Sequence, residues 1–232
     1  LAPEAATLLM LADPDAGVDA ALALEALAHE LDAPAPVTPP RAVQAYAPSG
    51  QPLDPENLGR ALAAFTPEAA IVVNEAATTG SVWSAAHAAA AAPHTMLGHT
   101  GGAIGQGLPT ALGAALACPD RRVIAFQADG SGLYTVQALW SMARESADVT
   151  VVVCANRRYR ILQVELARAG VAQPGAKAQA LTDLTRPVID WTSLAKGFGM
   201  PACRVRTDSE LAGALKRALA EPGPSLIEAV LA

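Results

Sequence analysis

The chain has 232 residues, of which 52% are hydrophobic and only 4% aromatic, and its formal net charge is −6. This length is enough for one well-buried α/β domain, or for one domain and part of another. The acidic balance and the absence of any long Lys/Arg run argue against nucleic acid or an anionic membrane surface as a partner. No apolar run reaches the about 20 residues that a membrane-spanning helix needs.

Three widely separated cysteines, Cys118, Cys154 and Cys203, form no CxxC pair. An odd number in this arrangement is typical of reduced core residues, not of a disulfide framework or a zinc site. We therefore expect a cytoplasmic protein. The chain begins at Leu1, without Met and close to a predicted strand, so we expect it to be part of a longer polypeptide.

The first 53 residues differ in pattern from the rest. Leu8–Ala12 is predicted to be a short strand and Val18–Leu31 a helix, and residues 32–52 then carry six prolines. Neither a helix nor a central strand tolerates such a run. We expect residues 1–35 to be the end of a preceding domain, 36–53 a proline-rich linker, and 54–232 the main domain.

From Asp54 onward, helices alternate with continuous apolar strands. This alternation predicts an α/β fold, a parallel sheet with helices on both faces. Residues 173–187 are polar and are predicted to be irregular. Helices are predicted at 54–65, 81–91, 105–117, 133–145, 159–170, 190–200 and 208–223; strands are predicted at 69–75, 94–99, 121–129, 148–156, 203–206 and 224–232.

Polar residues stand at the ends of three predicted strands: Asn74–Glu75, Asp129–Ser131 and Asn156–Arg158. Parallel sheets bind ligands beyond the carboxyl ends of their strands, so these groups share one edge. Asp129 and Asn156 are separated by a single predicted helix. One right-handed crossover can therefore make their strands neighbours.

An acid and an amide together offer hard oxygen ligands, which suit Mg²⁺ or Ca²⁺. Mg²⁺ keeps water and phosphate ligands, so a phosphate group is expected nearby. Gly130 and Ser131 open one predicted helix, and Thr78 and Thr79 precede another. Helix starts bind anions, and two of them around one cation indicate a diphosphate. Each pattern alone could be a simple helix cap, but their joint spacing favours binding.

Several segments carry a resemblance to a known family: "GGAIGQGLPTALGAALACPDRRVIAFQADGS", "LYTVQALW", "IDWTSLAKGFGM" and "GPSLIEAV". From about Asn74 onward the chain resembles the diphosphate-binding domain of thiamine-diphosphate enzymes, the C-terminal third of 2-oxoacid decarboxylases and acetolactate synthases. The benzoylformate decarboxylase and acetolactate synthase-like branch is the most similar. The resemblance implies an enzyme that uses thiamine diphosphate and Mg²⁺ on a 2-oxo acid, and it implies that residues 1–35 end a middle domain.

The resemblance also implies site residues. The Asp129 and Asn156 side chains and the main-chain carbonyl of Arg158 would bind Mg²⁺. Tyr159 and Leu162, on the helix after these ligands, would point towards the substrate or would pack against the domain, and Tyr159 is also an implied cofactor-binding residue. Asn156 belongs to both groups. The implied ligands of the diphosphate are Thr78, Thr79, Gly130 and Ser131.

The segment "GGAIGQG" would hold the other half of the cofactor. The resemblance implies that the Gly102 carbonyl accepts a hydrogen bond from the pyrimidine 4′-amino group. It also implies that Ile104 is the wedge that bends the cofactor into a V shape. In that shape the pyrimidine imino nitrogen lies against the thiazolium C2–H and removes its proton. Both residues are the expected catalytic contributions of this chain. His99 precedes this segment and could face the substrate, whereas Glu75 is expected to order the diphosphate loop.

The chain departs from the family pattern at two positions. The family has Gly-Asp-Gly and Asn-Asn where this chain has Ala128 before Asp129 and Ala155 before Asn156. The glutamate that protonates the pyrimidine belongs to the family's N-terminal domain, supplied by a second subunit. The resemblance therefore implies a homodimer or homotetramer, and this chain alone is expected to be inactive.

Two other interpretations stay open. A degenerate, non-catalytic domain would agree with Ala128 and Ala155. A separate subunit of a split decarboxylase would pair with a pyrimidine-binding chain. Trp83 and Trp140, both on predicted helices, are expected in the core.

Overall fold

The computed structural model describes residues 7, 10–11, 15, 17–34, 46–171 and 173–232. The chain divides into two units, 1–40 and 41–232. In the first unit, helix α1 spans Ala20–Glu30, and the Asp19 side chain caps it by accepting the first free N–H groups. The predicted helix at Val18–Leu31 is thus confirmed. The strand predicted at Leu8–Ala12 lies for the greater part outside the described residues.

A six-stranded sheet forms the centre of the second unit, and all its strand pairs are parallel. Its order is β2-β1-β3-β4-β6-β5. The predicted α/β fold with a parallel sheet is therefore confirmed. In chain order, the strands are β1 Ile71–Glu75, β2 Thr95–Gly98, β3 Val123–Ala128, β4 Val149–Ala155, β5 Ala202–Val205 and β6 Ser225–Val230.

Helices cover both faces of this sheet. Among the described residues, no helix is long and apolar enough to cross a membrane. In chain order the α-helices are α2 Pro55–Phe65, α3 Ala77–Val82, α4 Gly107–Ala117, α5 Ala138–Arg144, α6 Arg160–Arg168, α7 Ala176–Thr182, α8 Trp191–Gly197 and α9 Asp208–Ala220. A π-helical turn, Trp83–His87, continues α3.

Alternate residues of the strands enter two separate cores because successive side chains point to opposite faces of a sheet. Ile71 and Val73 of β1 pack with α4, α5 and α8, whereas Val72 packs with α2, the π turn and α9. All seven residues of β4 are buried. With few aromatic side chains, both cores consist mainly of Ala, Val, Leu and Ile.

Three segments differ from the predicted elements. The helix predicted from Ser81 begins at Ala77, which places the preceding threonines inside its first turn. The helix predicted at 133–145 is interrupted: a 3₁₀ turn covers Ser131–Thr135 and α5 begins only at Ala138. Residues 173–187, predicted to be irregular, contain α7, whose Ala, Lys and Gln residues favour a helix over the neighbouring prolines.

The two tryptophans differ in burial. Trp83 is fully buried and packs edge-on against Phe126, as expected of a core residue. The prediction for Trp140 is wrong because its side chain is 50% exposed, with the Arg144 guanidinium 5.6 Å from the ring centroid. Helical spacing placed Trp140 on a helix but could not say which face of the helix meets the sheet.

The second half of the predicted linker is fastened to the second unit. The buried Asp208 carboxylate, at the start of α9, accepts the N–H groups of Ser49 and Gly50, both at 2.7 Å, and the Ser49 hydroxyl at 2.9 Å. Leu53 is fully buried, and its N–H donates to the Arg206 carbonyl at 2.9 Å. Residues 49–53 therefore belong to the packed structure.

Asp208→Ala should lower the free energy of unfolding by about 1–3 kcal/mol because three donors lose a charged acceptor. Urea unfolding would show the loss as a lower midpoint at unchanged slope. Asp120→Ala, at an exposed position, is the matched control. A midpoint equal to that of the control would show that this contact does not fasten the segment.

Candidate functional site

The carboxyl ends of β1, β3 and β4 meet at one edge of the sheet. From β1 the chain crosses to β2 on one side, and it then returns to β3 on the other side of β1. The loops that follow β1 and β3 thus diverge and leave a crevice, the usual ligand site of such sheets. β4 pairs directly with β3, as the spacing of Asp129 and Asn156 predicted.

Asp129 follows β3 and is only 2% exposed. Its carboxylate accepts the N–H of Arg157 at 2.6 Å and that of Gly130 at 3.0 Å. Burial raises the pKa of Asp129 to about 6, and the two N–H groups offset part of that rise. Within the described residues the carboxylate has no salt bridge. A buried acid with acceptor capacity to spare suits a bound cation.

The loop after β4 brings further oxygens to this edge. Arg157 has a positive φ of 59°, and its N–H bonds to Asp129. The Asn156 amide oxygen accepts the N–H of Arg158 at 3.0 Å, and the Arg158 carbonyl accepts the N–H of Arg160 at 2.9 Å. Each oxygen keeps a second lone pair. A carboxylate, an amide and a carbonyl form a hard donor set that fits Mg²⁺.

Other protein ligands for a cation are scarce. The described part of the chain has no cluster of three or more His, Cys, Asp or Glu side chains. A cation beside Asp129 would therefore complete its coordination with water and with oxygens of a bound anion, as Mg²⁺ commonly does at phosphate sites.

Gly130 and Ser131 form the turn after Asp129. A Cβ on Gly130 would collide with the Tyr159 ring, so only glycine fits under that ring. Ser131 is buried, and its hydroxyl accepts the Gln127 amide at 2.7 Å. The first N–H groups of the 3₁₀ turn have no acceptor within that turn, which leaves them for a ligand.

Thr78 and Thr79 lie in the first turn of α3, one half-buried and the other buried. Asn74, near the end of β1, fixes this turn: its amide donates to the Gly80 carbonyl at 3.2 Å, and its oxygen accepts the Ala76 N–H at 3.1 Å. Thr78 and Thr79 thus follow β1, the strand that pairs with β3 ahead of Asp129.

Gly102 and Ile104 lie on an exposed loop ahead of α4. Gly102 has a positive φ of 69°, and the Ile104 side chain is 47% exposed. The buried Glu75 carboxylate accepts the N–H groups of Gly105 and Gly107. Glu75 therefore orders this glycine loop, a role that was not expected of it. A buried acid followed at a distance by a glycine-rich loop could have indicated this contact.

A cavity of about 560 Å³ opens beside α3. His99 and Ile161 both line it, from the loop after β2 and from α6. Ile161 was not among the residues predicted for the site, whereas the predicted Leu162 is exposed beside it. The other residues that line this cavity are Asn74, Ala77, Ser81, Ser84 and Ala85. A larger cavity, about 850 Å³, lies between the Asn156–Arg158 loop, α6 and α7.

The fold and the strand-end groups define a domain suited to a diphosphate and a hard cation. Residues 76–229, about two thirds of the chain, match the family model described as "Thiamine pyrophosphate enzyme, C-terminal TPP binding domain". The chain belongs to this family, whose cofactor is thiamine diphosphate, as the earlier motifs indicated.

Relatives give the branch of the family. The chain is 46% identical over 233 residues, 100% of its length and 44% of the other protein, to "Putative acetolactate synthase large subunit IlvX" of Mycobacterium tuberculosis. It is 37% identical over 215 residues, 90% of its length and 39% of the other protein, to the benzoylformate decarboxylase of Pseudomonas aeruginosa.

A solved structure agrees with these relatives. The thiamine diphosphate-dependent 4-hydroxybenzoylformate decarboxylase of Rhodococcus jostii RHA1 superposes with a TM-score of 0.74 at 30% identity, over 90% of this chain and 39% of that one. The chain spans less than half the length of each of these three relatives.

The pKa of Asp129 generates a pH prediction for the metal-free protein. A carboxyl whose pKa rises on folding holds a proton in the folded state that the unfolded state has lost, so the contribution of Asp129 to stability falls as the pH rises from about 4 to about 6. The expected loss across this window is on the order of 2–3 kcal/mol.

Denaturant unfolding in EDTA at a series of pH values measures this loss. The difference in unfolding free energy between wild type and Asp129→Asn should fall by this amount across the window, whereas the difference between wild type and Asp120→Asn, exposed on the surface, should stay constant. Parallel pH profiles for wild type and Asp129→Asn would show that Asp129 is not the group responsible.

Proposed function

We propose that the complete protein is a thiamine-diphosphate- and Mg²⁺-dependent enzyme acting on a 2-oxo acid, and that this chain is its diphosphate- and Mg²⁺-binding part. The observation that carries the proposal is the buried Asp129 carboxylate, which has no cationic partner among the described residues. It lies at the edge of the sheet where the strands end, and both α3 and the Ser131–Thr135 turn begin at this edge. A metal-bound diphosphate requires helix starts beside its cation.

Asp129, the Asn156 amide oxygen and the Arg158 carbonyl oxygen would hold the cation. The N–H groups at the start of the Ser131 turn, with those of the α3 turn that contains Thr78 and Thr79, would hold the diphosphate. Tyr159 covers Gly130 and would restrict how the diphosphate enters. The carboxylate must be ionised to bind the cation, and the N–H groups of its two neighbours favour that form.

The glycine loop would serve the pyrimidine end of the cofactor. The Gly102 carbonyl would accept a hydrogen bond there, and the Ile104 side chain would press the two rings of the cofactor together. When bound, thiamine diphosphate supplies an electron sink for loss of CO₂ from a 2-oxo acid. The residues of this chain would bind and orient the cofactor.

The reaction type within this class has two candidates. The named relatives include an acetolactate synthase type and benzoylformate-type decarboxylases, so the product is formed by carboligation or by simple decarboxylation. His99 and Ile161 lie in the cavity beside α3, where a substrate side chain could enter. We also propose a cytoplasmic protein, which is supported by the absence of any disulfide among its three cysteines.

The partner proposed for this chain is the pyrimidine-binding domain of a second subunit, in a homodimer or homotetramer. Ile104, Leu133 and Tyr134 all expose apolar surface at the site edge, as expected of groups that a partner covers. A split decarboxylase, with the two domains on separate chains, would need the same contact.

The non-catalytic alternative depended on Ala128 and Ala155. Both are the last residues of strands, and neither is among the non-glycine residues with a positive φ. Alanine therefore fits their backbone without strain. The positive φ of the metal loop is at Arg157 instead. These two departures from the family pattern thus give the non-catalytic alternative no support.

Asp129→Ala should abolish Mg²⁺-dependent binding of thiamine diphosphate to the complete protein because the cation loses its only carboxylate ligand. The expected loss of affinity is about a hundredfold or more, since a charged ligand is removed from a buried site. Calorimetric titration in the presence of Mg²⁺ measures it.

Asp120→Ala is the control, since this acid is exposed in the turn after α4. Its affinity for the cofactor should stay that of the wild type. Equal binding by Asp129→Ala and wild type would contradict the site, and failure of the wild type to bind would contradict the proposed function.

A further inference from the structure

The loop that carries Gly102 and Ile104 is held by hydrogen bonds and not by packing. Residues 100–104 are all exposed, and only Gly105 and Gly107 at its end are buried. A loop without buried side chains gains little rigidity from the hydrophobic effect. What fixes its conformation must therefore be the polar contacts made by the few peptide groups that are buried.

Glu75 makes the deepest of these contacts. Its side chain, at the end of β1, is 2% exposed, and its two oxygens separately accept the N–H groups of Gly105 and Gly107. These charge-assisted bonds bracket one residue, Gln106, and bind the loop directly to the central sheet. Burying a carboxylate is costly, and these two N–H donors offset part of that cost.

Two other side chains complete the hold. The Thr135 hydroxyl donates to the Gly105 carbonyl at 2.8 Å, so both sides of that residue are bonded. The Gln106 amide donates to the Thr100 carbonyl at 3.1 Å and accepts the Thr100 N–H at 3.3 Å, so these two bonds join the two ends of the loop. Gly105 has a φ of 95°, and a Cβ there would lie 2.9 Å from Tyr134.

A buried polar row extends from Glu75 towards the diphosphate turn. Gln127 on β3 is buried, and its Nε2 atom donates to the Ser131 hydroxyl at 2.7 Å. Its Oε1 atom has no hydrogen-bond partner among the described residues, and a Cβ on Gly107 would collide with both this atom and the Glu75 carboxylate. The Ser131 hydroxyl in turn donates to the main-chain carbonyl of Glu75 at 3.4 Å, which joins the diphosphate turn to the end of β1.

We propose that Glu75 is a positioning residue for the cofactor: it fixes loop 100–107 so that the Gly102 carbonyl and the Ile104 side chain meet the pyrimidine in the reactive geometry. Gln127 and Ser131 connect the Glu75 contacts to the diphosphate turn. The pyrimidine end and the diphosphate end of the cofactor site are thereby held at a fixed distance from each other. The inference rests on the proposed function, because it takes Gly102 and Ile104 as the groups that contact the pyrimidine. Glu75 itself lies buried beneath the loop and would act on the cofactor only through Gly102 and Ile104.

The test is Glu75→Gln in the complete protein, loaded with thiamine diphosphate and Mg²⁺. The amide keeps the size of the side chain but presents an N–H₂ group to one of two glycine N–H donors. The rate of hydrogen–deuterium exchange at C2 of the bound cofactor should fall about tenfold or more, since small displacements of positioned groups cost this much. Calorimetric affinity for the cofactor should change less than about threefold, because the diphosphate and cation ligands remain.

Three other variants make the result specific. Ile104→Ala, which removes the proposed wedge, should slow the exchange to a similar extent. Asp208→Asn alters another buried carboxylate that accepts two backbone N–H groups, far from the loop, and should leave the exchange rate unchanged. Thr135→Val removes only the bond to the Gly105 carbonyl. It should slow the exchange in the same direction but less, and it tests the hold if Glu75→Gln does not fold.

The outcomes separate the inference from the function on which it rests. Slower exchange in Glu75→Gln and Thr135→Val, with affinity retained, supports the positioning role. Wild-type exchange rates in these variants overturn it and leave the proposed function intact. If cofactor affinity falls in step with melting temperature in Glu75→Gln, and Asp208→Asn shows the same behaviour, the role of Glu75 is structural only. That result also overturns the positioning role. A wild type that does not accelerate exchange over the free cofactor overturns the proposed function and the inference together.

Discussion

The site depends on the contact between the Asp129 carboxylate and the N–H of Arg157, which ties the end of β3 to the loop after β4. Burial disfavours the charged carboxylate, and this N–H with that of Gly130 lowers the cost. The contact also fixes where the Asn156 oxygen and the Arg158 carbonyl lie. Without it, the three oxygens proposed for the cation would belong to two independent loops.

The two buried acids at neighbouring strand ends have different roles because their surroundings differ. Glu75 is occupied by two glycine N–H groups, which leaves it suited to holding a loop. Asp129 accepts two N–H groups as well, but it borders the crevice between the strand ends and keeps capacity for a cation. The parallel sheet makes both roles possible, since β1, β3 and β4 are adjacent and end at one edge.

Much of this arrangement could be predicted from the sequence. Apolar runs separated by helical segments are enough for a parallel sheet, and a spacing of one crossover placed Asp129 beside the loop of Asn156. What could not be predicted depends on tertiary packing. The exposed face of Trp140, the 3₁₀ turn at Ser131–Thr135 and the attachment of residues 49–53 to Asp208 follow from contacts between distant segments. The role of Glu75 was missed for the same reason, as its partners lie some thirty residues along the chain.

The central claim is that a cation held by Asp129 joins the diphosphate to this domain. The most direct test is to titrate thiamine diphosphate into the complete protein with Mg²⁺ and with EDTA, and to repeat the titration with thiamine, which has no diphosphate. Thiamine diphosphate should bind at least about a hundredfold more tightly with Mg²⁺ than with EDTA, and by linkage it should tighten Mg²⁺ binding by the same factor. Thiamine should be insensitive to Mg²⁺. Equal affinity for thiamine diphosphate with Mg²⁺ and with EDTA would contradict the account.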